Sequence, residues 1–114
     1  MFNGLFKKKD YNDIDQSEAK KRLDANQEIL LIDVRTPEEY AEVHIPKSIS
    51  LPLNQLQAGI SKIAKDKSAE LIVYCLSGRR AASACGQLAE MGYLNVNNMG
   101  GIQSWPYQTV GGHK

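Results

Sequence analysis

Apolar residues along this chain fall into two short continuous runs, set among stretches where they recur every three or four positions. The runs are Ile29-Leu30-Leu31-Ile32, closing on Asp33-Val34, and Leu71-Ile72-Val73-Tyr74. Each is too short for an ordinary helix, is partly β-branched, and lacks the alternation of a half-exposed strand. Both predict strands buried on two faces. Upstream, Asp15 or Ser17 is placed to cap a short helix through about Asn26, with Ala19 and Leu23 on one face. Thr36-Pro37-Glu38-Glu39 reads as a helix start: a cap, proline at the first position, then acids in the first turn. Pro46 and Pro52 divide His44 to Leu53 into extended pieces. Leu53, Leu56, Ile60 and Ile63 recur at near-helical spacing, weakened by Gly59. Ala81, Ala84 or Cys85, Leu88 and Met91 form the apolar stripe of a helix from Arg79 to about Met91, and Gly92 follows at a C-cap position. Tyr93 to Asn98 predicts a short strand, and Gly100-Gly101 a turn into Ile102–Trp105, ended by Pro106. Strands alternating with helices predict an α/β domain: a small, mostly parallel central sheet flanked by helices.

Length narrows this to one domain. The 114 residues divide into a polar N-terminal arm over 1–13, a domain over 14–108 and a flexible tail over 109–114 that includes His113. With 42% apolar and 24% charged residues, the chain has the composition of an ordered globule. A formal net charge of +1 draws it neither to nucleic acid nor to anionic lipid. No apolar run approaches the roughly 18 residues of a membrane span. Met1 to Phe6 is apolar and precedes Lys7-Lys8-Lys9, the reverse of a secretory signal's order, so a cytoplasmic location is expected. The lysine run next to Phe2, Leu5 and Phe6 is read as a solvated lead-in, with no stable membrane association. Two cysteines, Cys75 and Cys85, are too few for a disulfide framework, and in a reducing compartment a free thiol stays reactive.

The informative thiol is Cys75. It ends a buried strand and opens a turn into a helix, and in open α/β sheets ligands bind at that edge. Amides of Leu76, Ser77, Gly78, Arg79 and Arg80 lie at a helix N-terminus, where unpaired donors favour an anion. Arg79 and Arg80 add two fixed charges. An anionic sulfur at position 75 is stabilised by this surrounding. The bland alternative is a buried structural cysteine, but Gly78 and the paired arginines then have no packing purpose.

Three blocks carry a resemblance. Leu31-Ile32-Asp33-Val34-Arg35, Glu38-Glu39-Tyr40 and His44-Ile45-Pro46 together resemble the first signature of the rhodanese homology domain. Cys75-Leu76-Ser77-Gly78-Arg79-Arg80 resembles its active-site loop, C-x-S-G-x-R. Asn98-Met99-Gly100-Gly101-Ile102 with Trp105 resembles its closing segment. The blocks fall in the family's order and cover about residues 14–107. The resemblance implies a rhodanese-like fold and a sulfurtransferase without cofactor or metal. In it, Cys75 takes a sulfane sulfur from thiosulfate or a persulfide donor, holds it as a persulfide, and passes it to a thiol, to cyanide or to a protein sulfur carrier. The loop amides hold the sulfur, Arg80 braces the loop, and Asp33 and Arg35 form supporting scaffold. Two departures stand out. The family usually has glycine where Val43 and Lys47 stand. Many thiosulfate-using members also carry a basic residue where Leu76 stands. Leu76 therefore weakens the hold on a dianion unless Arg79 turns toward the pocket mouth, and a persulfide becomes the favoured donor.

The other candidates have plain readings. Cys85 sits on an apolar helical stripe and reads as a small core residue before a resolving thiol. His44 reads as a structural contact before a catalytic base, and Trp105 as an aromatic wedge in the core. Separated histidines and cysteines make no zinc spacing. A phosphatase or arsenate reductase on the same fold needs C-x5-R, whereas this loop closes at Arg80 as C-x4-R. A non-catalytic rhodanese-like module often lacks the cysteine. A thiol–disulfide oxidoreductase needs C-x-x-C, which is missing.

Overall fold

A computed structural model describes residues 10–111, so the Lys7–Lys9 run and His113 lie outside the described residues. The buried runs do form strands at the centre of a sheet. Strand β1 is Asn12–Asp13, helix α1 Gln16–Ala25, β2 Leu30–Asp33, α2 Pro37–Glu42, β3 Val43–His44, β4 Ile49–Ser50, α3 Leu56–Ile63, β5 Glu70–Cys75, α4 Arg79–Glu90, β6 Asn95–Gly101 and β7 Val110–Gly111. Five strands pair in the order β1-β6-β5-β2-β4, and every pairing is parallel. Strands β3 and β7 form a separate antiparallel pair. No helix among the described residues is long and apolar enough to cross a membrane.

Because successive side chains of a strand point to opposite faces, β2 and β5 feed two cores. Ile32, Leu71, Val73 and Cys75 pack with α3 and α4 through Leu56, Ile60, Ala81, Ala84, Cys85 and Leu88. Leu31, Ile72 and Tyr74 pack on the other face with Ala19, Ile45, Met99 and Trp105. Trp105 is accordingly part of the core, edge-on to Tyr107.

Local chemistry sets the element ends. Asp15, not Ser17, caps α1: its carboxylate accepts from the Glu18 amide at 2.8 Å. Thr36 and Glu39 form a reciprocal capping box at α2. The 53–63 pattern splits into a 3-10 turn over Leu53–Gln55 and then α3. Gly59 remains inside α3 because the space of its missing Cβ is taken by the Leu51 side chain.

Three expectations change at the margins. Asn12–Asp13, read as arm, pairs with Asn97–Asn98 as an edge strand, and the Ile14 amide donates to the Asn98 carbonyl. Val110–Gly111, read as tail, pairs with Val43–His44. Gly100-Gly101, read as a turn, is the end of β6, with Gly101 opposite Cys75 across a register shift in β5. In each case ladder hydrogen bonds to a distant segment override a composition that favours loops.

The two glycine departures separate. Val43 is extended, a conformation open to any residue. Lys47 has φ 71°, in the left-handed region where a β-carbon is strained. Lys47→Gly is expected to raise stability by roughly 0.5–1 kcal/mol, the strain relief exceeding the entropy that glycine adds to the unfolded chain. Urea denaturation checks this; a lower midpoint for the variant would contradict it.

Candidate active site

Cys75 is the last residue of β5, in the middle of the sheet, at the carboxyl edge where the parallel strands end. Only Leu76 to Gly78 separate it from α4. The turn is that short because Gly78, the N-cap, adopts φ 115°, which side-chain-bearing residues avoid. The chain folds back over the thiol. Cys75 Sγ accepts from the Gly78 amide at 3.0 Å and from the Ala81 amide at 3.3 Å. The Leu76, Ser77, Arg79 and Arg80 amides have no acceptor among the described residues. Of the five amides expected to face the sulfur, Gly78 alone donates to it. Ala81, assigned to the helical stripe alone, also supplies one of the two donors on the sulfur.

A second segment backs the loop. The Gln103 amide donates to the Leu76 carbonyl at 3.1 Å. Gly101 lies against the same carbonyl so closely that a Cβ there would overlap it. Gln16 ties this wall to α1 by donating to the Met99 and Gly101 carbonyls at 3.0 and 2.9 Å. Gly101 is therefore a steric requirement of the loop, whereas Gly100 answers a backbone one, at φ 91°.

Two of the three arginines at this edge are held in ion pairs. Arg35 and Asp33 are buried and form a closed ion pair: Arg35 Nη2 to Asp33 Oδ2 is 2.7 Å and Nε to Oδ1 is 3.0 Å. Arg35 Nη2 also donates to the Val43 carbonyl at 2.7 Å, which pins the end of α2. Tyr74 lies beneath, 5.7 Å from the Arg35 guanidinium. Its hydroxyl accepts from the Ile45 amide and meets Ser48 Oγ, both at 3.1 Å, and burial pushes the phenol up. Asp33 and Arg35 are thus brought together as scaffold, without a contact to the thiol.

Arg80 donates to Glu39 through both terminal nitrogens, at 2.8 and 3.1 Å. Glu39 is the residue whose site role sequence reading missed; it appeared as an acid in the first turn of a helix and as part of the Glu38-Glu39-Tyr40 block. Its Oε1 serves both the Thr36 amide and Arg80, so one carboxylate joins α2 to the first turn of α4. The Glu-Glu-Tyr block holds the signal, but which acid turns toward the loop is a tertiary fact. The Arg80 guanidinium holds the Glu39 carboxyl down to about 2, against an ordinary 4.5. A carboxylate depressed on folding contributes stability above its unfolded value and loses it as pH falls through its folded value. Glu39→Gln is therefore expected to lower stability at neutral pH by about 1 kcal/mol, the pair being partly solvent-screened. The deficit should shrink toward pH of about 2. Denaturant midpoints across pH, with a constant deficit as the contrary result, decide this.

None of the remaining candidates makes a hydrogen bond to the thiol among the described residues. Cys85 is buried on the inner face of α4, unbridged, and burial pushes its thiol up to about 12. His44 stacks on Tyr40 at 3.8 Å, and its Nδ1 is 2.8 Å from the Tyr40 carbonyl oxygen. Leu76 is 41% exposed, a large apolar residue beside Cys75. A cleft of about 650 Å³ opens along the α4 side of the loop, lined by Arg35, Thr36, Leu53, Gln55, Arg80 and Gln87.

Comparison with known proteins matches residues 15–107 to the rhodanese-like domain. The chain belongs to that family. A relative from Allochromatium vinosum named sulfurtransferase is 39% identical over 95 residues, covering 82% of this chain and 87% of the relative. The thiosulfate sulfurtransferase PspE of Escherichia coli is 40% identical over 72 residues, 63% of this chain and 69% of the relative. Among solved structures, one described as rhodanese with anions from E. coli superposes with a TM-score of 0.70 and 37% identity, over 74% of this chain and 99% of that one. The all-parallel central sheet with helices on both faces is thus the rhodanese-like fold.

Proposed function

We propose that this rhodanese-type sulfurtransferase carries its cargo on Cys75 as a persulfide. The observation that carries the reading is the pair of amides on Sγ, Gly78 and Ala81, inside a loop whose other amides have no protein acceptor among the described residues. Such a ring of donors stabilises a negative sulfur and leaves donors over for a second one bonded to it. With thiosulfate, the Cys75 thiolate attacks the outer sulfur. The new bond is Cys75 S–S, the bond broken is S–S of thiosulfate, and sulfite leaves with the bonding pair. With a persulfide donor the leaving group is the donor's thiolate. In the second half, an acceptor thiolate attacks the terminal sulfur, forming its own persulfide and returning the Cys75 thiolate. Small thiols, cyanide and a protein sulfur carrier are acceptors of the required nucleophilicity, and a cytoplasmic location suits a thiol that must remain reduced.

The loop size supports sulfur over phosphate as cargo. Arg80 closes the ring one residue early for a phosphate cradle, and it is held by Glu39. Position 81 is an alanine whose amide already serves Sγ. Intact-mass measurement after incubation with thiosulfate, or with a small persulfide, tests the proposal. The mass of one sulfur atom should be gained, mapped to Cys75, and lost on adding a thiol. Turnover of p-nitrophenyl phosphate without sulfur uptake would favour the phosphatase reading instead.

A further inference from the structure

A second cavity, of about 370 Å³, lies away from the thiol. Its wall is Leu23 of α1, Ile29 and Leu31 at the start of β2, Ile45, Ile49 of β4, and Trp105. Ile29, Leu31, Ile45 and Trp105 belong to the core on the α1 side of the sheet, whereas Cys75 packs with α3 and α4 on the other side. No residue from 75 to 81 lines it. The Trp105 indole N–H donates to the Gln108 carbonyl at 3.2 Å, so the ring offers the cavity apolar surface. Charge at the rim is uneven. Lys20 is closed on both carboxylate oxygens of Asp24, at 2.8 and 2.6 Å. Lys47 lines the same cavity, is exposed, and has no ion pair or side-chain hydrogen bond among the described residues. It is also the one non-glycine residue among them with positive φ, 71°. A lysine is thus held in a strained conformation at the rim of an apolar cavity, where glycine would be relaxed.

We infer that this cavity is a second ligand site, built for an aliphatic monocarboxylate. The apolar chain of the ligand lies against Trp105 and the leucine and isoleucine wall, and its carboxylate meets Lys47. Small-molecule sites have this composition, a mostly apolar concavity with few polar groups to fix orientation. Burial of the chain supplies affinity that does not depend on the head group. The head group is selected by charge. Because Asp24 offsets Lys20, one uncompensated cation remains at the rim, which favours a monoanion over a neutral or cationic amphiphile of the same length. The site is also close to the wall behind the catalytic loop, since Gln103, two positions before Trp105, donates to the Leu76 carbonyl. Binding there involves no covalent step and is independent of the persulfide reading.

Trp105 is the single tryptophan of the chain, so its fluorescence reports on the cavity directly. Titration of the full chain with decanoate, below its micelle concentration, should saturate and move the emission to shorter wavelength as the exposed edge of the ring is covered. Decanol and decyltrimethylammonium should bind about fivefold more weakly or worse. Lys47→Gln keeps the left-handed backbone and removes the charge. It should weaken decanoate about five- to tenfold and leave decanol unchanged. Leu23→Asp, at a half-buried position of α1, should weaken both ligands in a protein whose melting curve shows it folded. The site would be overturned by the absence of a saturable change with decanoate, or by equal affinity for the three amphiphiles. Unaltered decanoate affinity in Lys47→Gln, or in folded Leu23→Asp, would overturn it as well. Sulfur uptake on Cys75 is read separately by mass, so either reading can fail without the other.

Discussion

Cys75→Ser is expected to abolish sulfur transfer while leaving the fold intact. The serine oxygen occupies the place of Sγ and accepts from the same Gly78 and Ala81 amides, so packing and hydrogen bonding survive. What disappears is the polarisable nucleophile, because a serine hydroxyl has no base beside it to ionise it. The rate should fall about a thousandfold or more, to the assay background. Thermal unfolding should move little. Cys85→Ala is the matched control. Cys85 is buried on the α4 face, free, and titrates only at about 12. That variant should retain transfer. If Cys75→Ser kept a substantial rate while Cys85→Ala lost it, the assignment of the nucleophile would be wrong. The comparison with thiosulfate as donor and a thiol as acceptor needs only steady-state rates and two melting curves.

Gly101→Ala is expected to have the second largest effect, and on both stability and rate. Gly101 is in ordinary extended conformation, φ −134°, so backbone preference does not require glycine. Space does. A Cβ at 101 would overlap the Leu76 carbonyl and come within 2.6 Å of the Ser77 amide nitrogen, which is backbone and cannot rotate away. Either the loop or the end of β6 must move. Shifting two backbone segments in a packed region costs roughly 3 kcal/mol. The displaced loop also takes its amides from the sulfur, so transfer should fall by about a hundredfold. Gly86→Ala serves as the contrast. Gly86 lies within α4 with nothing within 4 Å of an added Cβ, so alanine there should stabilise by about 0.5–1 kcal/mol. Denaturant unfolding and kcat/KM on the two variants check the pair together. A Gly101→Ala protein as stable and active as the parent would show that the loop does not rest on β6 as described.

Sequence alone determined the parts whose physics is local. Two apolar, β-branched runs cannot be exposed, so they became the central strands. A proline after a threonine, with acids following, has one good solution, the N-terminus of α2. A cysteine ending a strand, followed by glycine and a helix start, places a thiol among unpaired amides whatever surrounds it. Those features also carry the family resemblance, because a loop that must turn within three residues leaves few permitted residue types.

Tertiary structure decided the rest, and the reason is distance along the chain. Asn12–Asp13 and Val110–Gly111 have loop-like compositions, and they are strands only because partners some 85 and 67 positions away offer ladder hydrogen bonds. Gly101 reads as a turn residue until the Leu76 carbonyl is seen against it. The paired arginines differ in sequence only by the loop spacing that singles out Arg80. Their separation into a braced Arg80 and an open Arg79 depends on Glu39, 41 residues earlier, turning its carboxylate across the edge of the sheet. Hydrophobic period and capping chemistry act over one or two turns of chain and are legible in order. Close backbone approach and charge pairing act through space, and only the folded sheet brings those residues together.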